Sequence, residues 1–590
     1  LTLIPSVLAV TFAAVVLMGC ANGLERIDRR VDRMLTETTQ EIGAGQTPAH
    51  VEPGEPVPPG VYRDPADERP STVNPPADAL SFNEAAIRDA EEVMERLETY
   101  NEKPIDALQL DLPASLRYAE EHSREFRFAE EEYVLTALRL LIERHLWGPR
   151  FFNDISADFT AIGDGGLYDS SVRLVNDFQV TQRLPYGGDV SIRALATATE
   201  DLHQRVAGEH VQSAEIILAA DVPLLRGAGQ VARESRIQAE RDMIYAARDF
   251  ERFRREFLVD IATEFLTLIV LQRRIENAQI SVAAFEQLER QQRALFEAGR
   301  STPFELGEAE NETLESIDAL NNAHESYRLA VDRFKISLGM PIDQPVTIVE
   351  DSLGLPTPLT GIDQAVYAAM TYRLDLQTQR DVLDDAVRAV ENARNALLGD
   401  LDLTASASLP TDPDRDRAGL HFDPEEMNFQ AGITYGLPLD REIERLNVRQ
   451  AQIGLERSYR SFDRFRDDVA VSVRASVRGI DSALFSLKIQ ERNVLIAEQR
   501  QASIEADPAR ADVRQKTDAI NQVTRALNSR DGAKRDLEVA VLQYLLQTGQ
   551  LRVGADGGIT PLEGMRFVEP SEEDQSDTYD EPESDPDGRG

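Results

Sequence analysis

Cysteine is almost missing: the 590 residues contain one, Cys20. A single thiol excludes an intrachain disulfide framework and any cysteine-based zinc cluster. Histidine is scarce as well, and its seven copies show no HExxH or similar ligand spacing. Basic residues are outnumbered, 63 against 104 acidic, giving a formal charge of −41. Such a surface repels phosphate backbones, which argues against nucleic-acid binding. Glycine and proline, at 34 and 29, are too few for collagen or low-complexity arrays. No Ser/His/Asp arrangement has a recognisable local context, so neither an enzyme nor a cofactor is expected. Apolar residues make up 42% of the chain, enough to fill a sizeable core and to exclude wholesale disorder.

Residues 1–19, LTLIPSVLAVTFAAVVLMG, are nearly all apolar and end at Cys20. Leu17-Met18-Gly19-Cys20 resembles the lipobox of bacterial lipoproteins, where signal peptidase cuts before a diacylated cysteine. The resemblance implies a signal peptide over 1–19 and lipidation at Cys20. Ala21, rather than Asp, follows the cysteine, which by the same likeness favours the outer over the inner membrane. Buried methylenes contribute about 0.8 kcal/mol each, so several acyl chains on one residue tether firmly. The other reading is an uncleaved anchor helix.

Leu24, Ile27, Val31 and Met34 fall at helical spacing, which predicts a short helix over 23–41. Residues 44–80, rich in Pro and Gly, read as an extended linker. From about 568 the tail is acidic and poor in apolar residues, a composition that predicts disorder. A structured body of about 85–555 lies between.

Two stretches of that body, Leu224 to Ala298 and Leu439 to Ala506, are free of proline and carry apolar residues three or four apart. As helices they would measure roughly 112 Å and 100 Å, far beyond the globular range. Shorter helical patterns flank each one: about 113–147 and 304–339 around the first, about 362–398 and 509–548 around the second. In both halves the two short helices sum to about one long helix. Tyr118-Ala119 aligns with Ala368-Ala369, and Val222-Pro223-Leu224 with Leu437-Pro438-Leu439. A duplicated unit of helix, strands, long helix and short helix is the economical reading.

Between the helices the period changes to two. Ile155, Ala157, Phe159 and Ala161 alternate with Ser156, Asp158 and Thr160; Leu401, Leu403, Ala405 and Ala407 alternate with polar residues; so do Phe429, Ala431, Ile433 and Tyr435. Strands of about ten residues with one polar face suit a membrane barrel. A half-buried soluble sheet would show the same alternation. The first half offers four strands, 151–162, 171–183, 188–199 and 211–222. The outer two are expected in the barrel, with 171–199 a hairpin closed near Tyr186-Gly187-Gly188 and projecting outside; alternatively all four lengthen the wall.

The order strand, Pro-Leu-Leu-Arg-Gly (223–227), long helix, Phe-Glu-Ala-Gly-Arg-Ser-Thr (296–302), then Leu-Gly-Met-Pro ending at Pro341 resembles the TolC-like outer-membrane efflux family. The resemblance covers about 110–550. It implies a mixed fold, all-α plus membrane β, in which a long periplasmic α-helical barrel joins a trimeric 12-stranded outer-membrane β-barrel. It divides the chain into a lipidated segment over 20–84, repeats over 85–345 and 346–555, and a tail over 556–590. It implies a homotrimer seated in outer-membrane lipid, anchored through Cys20, that serves with a periplasmic adaptor and an inner-membrane transporter as the exit duct of a tripartite efflux pump or a type I secretion system; the other reading is a non-channel periplasmic coiled-coil lipoprotein. Independently, four strands cannot close a barrel and open edges are intolerable in lipid, so oligomerisation is required if these strands are membrane strands.

In that family the turns between long and short helices form the periplasmic tip, where adaptors dock and acidic side chains ring the aperture. The resemblance places docking at Gly299, Arg300, Ser301 and Thr302, and at Pro508, Ala509 and Arg510 of the second tip, which lacks the glycine. It assigns the aperture acids to Glu305, Glu308, Asp507 and Asp512. Carboxylate rings at a narrow mouth select cations; acids in a first helical turn also simply favour the helix dipole.

Gly227-Ala228-Gly229-Gln230-Val231-Ala232 mimics a dinucleotide fingerprint. The helix after it runs far past the length of a nucleotide-binding unit, so the glycines are read as bending the chain from strand to helix. Trp147, the only tryptophan, falls at a helix–strand passage, where an interfacial aromatic or a packing residue would sit.

Overall fold

The computed structural model describes residues 23–43, 107–164, 167–201, 210–350, 358, 361–412, 421–506, 511–554 and 558–562. The expected signal peptide, Cys20, the Pro-rich linker, the acidic tail and residues 507–510 lie outside the described residues.

The longest elements are helices. The helices are α1 (Gly23–Glu41), α2 (Leu112–His122), α3 (Arg124–Leu146), α4 (Glu234–Glu297), α5 (Pro303–Leu338), α6 (Ile362–Tyr372), α7 (Leu374–Asn395), α8 (Glu442–Ala506) and α9 (Val513–Gln547). None is long and apolar enough to cross a membrane. Helices α4 and α8 run 64 and 65 residues, each on one of the proline-free stretches. Helix α4 begins ten residues later than its apolar pattern. Gly227 and Gly229 take φ +76° and +79°, a left-handed backbone that only glycine adopts without strain. Leu224 N–H donates to Leu401 O at 2.7 Å, holding the passage extended.

Strands are β1 (Leu108–Leu110), β2 (Arg150–Asp164), β3 (Leu167–Arg183), β4 (Asp189–Asp201), β5 (His210–Pro223), β6 (Val346–Ile348), β7 (Asp400–Pro410), β8 (Asn428–Gly436), β9 (Leu551–Val553) and β10 (Ile559–Pro561). Strands β1 and β6 form one small parallel pair, and β9 and β10 an antiparallel one. The large sheet has six strands in the order β2-β3-β4-β5-β7-β8, antiparallel throughout.

Contacts divide the chain into two units, and neither is one sequence half. The first takes residues 1–44, 132–250 and 374–466; the second takes 45–131, 251–373 and 467–590. The first unit holds the six-stranded sheet. There α4 meets α7 through a ladder of polar pairs at helical spacing. Arg248 Nη1 donates to Asp381 at 2.6 Å, and Tyr245 Oη to Asp385 at 2.7 Å. Arg388 reaches Glu234 at 3.3 Å. Burial, and then the bond to Asp385, push the Tyr245 hydroxyl up to about 12.

The second unit is helical. Its core sets Phe126 at a tilt against Phe257 (centroids 5.6 Å apart) and Phe265 against Phe334 (6.2 Å). The Arg254 side chain, 2% exposed, bonds Glu120 Oε1 at 2.6 Å and Gly554 O at 3.1 Å. Partnering of this kind is what makes a buried guanidinium tolerable. Farther along, Phe285, Leu288, Ala309 and Val513 close one cluster, and Val494, Ala497 and Ala526 another.

The expected single helices over 113–147 and 362–398 are each broken. Ser123 (φ −62°, ψ 132°) separates α2 from α3, and Arg373 (φ −72°, ψ 120°) separates α6 from α7. A glycine in left-handed conformation faces each break. A Cβ on Gly339 would lie 2.2 Å from His122 O, and one on Gly549 would lie 2.8 Å from Tyr372 C. The same joint occurs twice.

Candidate functional site

The large sheet has two unlike faces. Its register runs Phe151–Val180–Ile192–Leu218–Ala407–Phe429 in one unbroken row over six strands. Opposed residues in antiparallel strands share a face, so the whole row lies on one side. Two residues along, Asn153–Phe178–Ala194–Ile216–Leu409 lies on that same side; one residue along, Phe152–Gln179–Arg193–Ile217–Ser408–Asn428 lies on the other. Between Phe151 and Ala161 on β2, and at the positions matched to them across β3, β4, β5, β7 and β8, the first face carries no charge among the residues whose side chains are described. Large apolar groups stand open on it: Phe429 at 77% exposure, Ile433 at 70%, Phe151 at 68%. The band rises about 25 Å from Phe151 to Ala161 if the strand is tilted by about 40°.

The second face is polar, with acids in excess. Asp154, Asp158, Asp177, Glu215, Asp221 and Asp402 share it with Arg150, Arg173 and Arg193. Arg193 clasps Asp177 with two nitrogens, Nε to Oδ1 at 2.7 Å and Nη2 to Oδ2. This fork crosses from β4 to β3 and was not foreseen from sequence. Alternation predicts a face but not a partner.

The sequence left two arrangements open, 171–199 as a hairpin projecting outside or all four first-half strands lengthening the wall, and the structure has all four in one sheet with β7 and β8. Strands β3 and β4 pair over their length with β2, with each other and with β5, so the sheet has six strands. Their connecting turn also does not project. Gly229 N–H donates to Tyr186 O at 2.7 Å, and a Cβ on Gly187 would lie 2.9 Å from Gly227 O and from Pro223 Cγ. The turn is docked on the passage from β5 to α4, where sterics demand glycine. The G-x-G-x-x-A stretch is thereby assigned to packing. At the same end, Trp147 Nε1 donates to Glu143, which also accepts from Ser235 Oγ at 2.6 Å.

The first helix turn follows from its own residues. Gly299 (φ +69°) ends α4 with its N–H on Phe296 O, while Arg300 N–H reaches Leu295 O at 2.8 Å. This left-handed cap satisfies carbonyls that the helix leaves open. Thr302 then caps α5: it accepts from Glu305 N–H, and its own N–H donates to Glu305 Oε2 at 2.7 Å. Ser301 Oγ adds a bond to the same carboxylate at 2.9 Å. These donors, the backbone N–H foremost, hold the Glu305 carboxyl below the usual range. Thr302-Pro303-Phe304-Glu305 is a legible capping-box signal that the sequence reading passed over.

Glu308 is engaged as well, by Arg514 Nε at 3.4 Å. Nothing in the sequence announces that pair, because its partners lie 206 residues apart. Asp512 caps α9, accepting from Gln515 N–H at 2.7 Å. Pro508, Ala509, Arg510 and Asp507 fall outside the described residues. Between the two helical hairpins, Asn521 Nδ2 donates to Glu312 at 3.3 Å. Burial, before the neighbouring acids, raises the Glu312 carboxyl.

No family model matches the sequence, and no curated protein matches it. Solved structures do. CusC, whose crystal structures concern folding and transmembrane channel formation, superposes at a TM-score of 0.57 with 12% identity, over 77% of this chain and 96% of its own. The outer membrane channel CmeC of Campylobacter jejuni gives 0.53 with 15% identity, over 74% and 85%. The outer membrane protein VceC of Vibrio cholerae gives 0.54 with 13% identity, over 74% and 96%. The fold is TolC-like. Within the TolC-like frame, α4 and α8 are the two long helices, and residues 299–302 form the turn from α4 to α5.

Proposed function

We propose that this chain is an outer-membrane exit duct, a passive channel that carries cargo delivered by an inner-membrane transporter through a periplasmic adaptor. Such a duct performs no chemistry and needs no cofactor. One observation carries the reading: an apolar face spanning six strands, uncharged among the residues whose side chains are described, backed by a polar face. In lipid that sheet must close, because unpaired edges leave N–H and C=O groups unsatisfied. Its edges are β2 and β8. An even number of strands makes them run in opposite directions, so β8 of one copy meets β2 of the next antiparallel and a ring can form. Three copies is the number that the family resemblance implies.

Helix α8 supports assembly, since Val471 and Phe485 stand 63% and 67% exposed on it and such surface is normally covered. The turn at Gly299 to Thr302 is the proposed adaptor contact, with the counterpart at Pro508 to Arg510. Glu305, Glu308, Asp507 and Asp512 are the proposed acids of the mouth. Cys20 is the proposed lipid anchor, after removal of 1–19.

The test is purification in detergent followed by single-channel recording. A heat-labile trimer that conducts ions supports the duct. A rod that stays in aqueous buffer and conducts nothing ends it, and favours a periplasmic spacer lipoprotein.

A further inference from the structure

We infer that the β3–β4 hairpin is a wall insertion that widens the pore, so that a three-copy ring closes on eighteen strands and passes bulky, hydrated cargo. The inference rests on the duct reading and deepens it. Three observations carry it.

First, the hairpin repeats the alternation of the strands beside it and holds their register. Val180 and Ile192 continue the apolar row from Phe151 to Leu218. Gln179 and Arg193 continue the polar row beneath. A hairpin that merely projected into water would need no uncharged face matched to its neighbours. Second, its turn is fixed against Pro223 and Gly227 by close approach at Gly187 and Gly188, where an added Cβ would meet backbone or proline within 3 Å. The hairpin cannot swing away without breaking that packing. Third, two inserted strands preserve parity, so the edges β2 and β8 still meet antiparallel.

Width follows from geometry. Strands about 4.8 Å apart and tilted by about 40° close at a backbone diameter of roughly 24 Å for twelve and roughly 36 Å for eighteen. The cross-section about doubles, and the lumen gains still more once side chains are allowed for. Cargo that fits the second and not the first is large and water-clad rather than a small compound. Its wall is polar and net acidic, which disfavours polyanions.

Two experiments test this. High-resolution imaging of the intact detergent-purified ring counts strands directly. Eighteen, with residues 171–199 in the wall, is the expected result. Twelve, whether from three copies with the hairpin folded out or from two copies of six, overturns the widening while leaving a channel in place. The second compares the full chain with a variant lacking residues 167–201, in which β2 would pair with β5, Phe151 opposite Leu218. Uncharged polyethylene glycols of graded size are added on the barrel side only, and their entry is read from the conductance. The full chain is expected to admit polymers about one and a half times wider than the variant does. Equal cut-offs overturn the inference. Absence of any conductance in the full chain instead removes the duct reading on which it rests.

Discussion

The two halves of this chain carry matching helical joints and unequal sheets. In the first half, α2 breaks at Ser123 opposite Gly339; in the second, α6 breaks at Arg373 opposite Gly549. Both glycines are left-handed and both end a helix with the same pair of backbone bonds, Gly339 N–H to Ile336 O with Met340 N–H to Lys335 O, and Gly549 N–H to Leu546 O with Gln550 N–H to Leu545 O. Yet the first half gives four strands to the sheet and the second gives two. A helix joint is a backbone-on-backbone contact that tolerates no added atom. A sheet can accept a hairpin whenever two strands enter together, because direction and facing are then restored. The two halves agree where sterics are unforgiving and differ where pairing is modular.

The comparison is most sharply broken on the lipid face. If the extra hairpin is wall, Ile192→Arg on β4 and Phe429→Arg on β8, which lie on one row at the foot of the band, should each destabilise the assembled ring by up to about 1 kcal/mol per copy, about 3 kcal/mol over three copies. Gln179→Arg, on the polar face, should change it little. Loss of the oligomer band on electrophoresis of unheated samples reads this out. A harmless Ile192→Arg beside a damaging Phe429→Arg would place the hairpin outside the wall.

The joints predict a graded effect. Alanine at Gly339 or Gly549 forces a Cβ into the left-handed region, which costs about 1–3 kcal/mol. Gly339→Ala should be the worse of the two, because its Cβ would sit 2.2 Å from a carbonyl oxygen against 2.8 Å at Gly549. Thermal unfolding followed by circular dichroism gives both values. Equal, negligible shifts would mean that the breaks at Ser123 and Arg373 do not depend on the glycines.

How far the sequence could be read follows from the same contrast. Helices α4 and α8 announce themselves through absent prolines and apolar spacing, since those are local properties. The strand positions are local too, and 151–162, 171–183, 188–199 and 211–222 sit close to β2, β3, β4 and β5. What sequence does not show is what faces what. No proline or glycine marks the break at Ser123; the approach of Gly339 across more than two hundred residues goes with it. The docking of Tyr186 on Gly229, which keeps the hairpin in place, is non-local in the same way. Glu305 is the opposite case: its capping box lies within four residues and was legible, but an acid beside a proposed mouth drew the functional reading first.

That acid supplies the last and smallest test, a comparison of the two tips. At the first, Thr302 and Glu305 cap α5 reciprocally; at the second, Asp512 alone caps α9 through Gln515. Glu305→Ala should therefore speed amide exchange at Thr302 and Glu305 roughly two- to fivefold, while leaving the Gln515 amide untouched. Asp512→Ala should do the reverse. The pH dependence fixes the sign. Because the folded Glu305 carboxyl is held below its ordinary value, chiefly by the Thr302 N–H, the cap is at full strength above the usual carboxylate range and is lost as pH falls through the folded value. Hydrogen exchange, corrected for its intrinsic pH dependence, should therefore show the wild-type turn loosening on acidification toward the behaviour of Glu305→Ala. If wild type and variant differ equally at every pH, the carboxylate is not what closes the cap, and Glu305 is left free for the mouth of the channel.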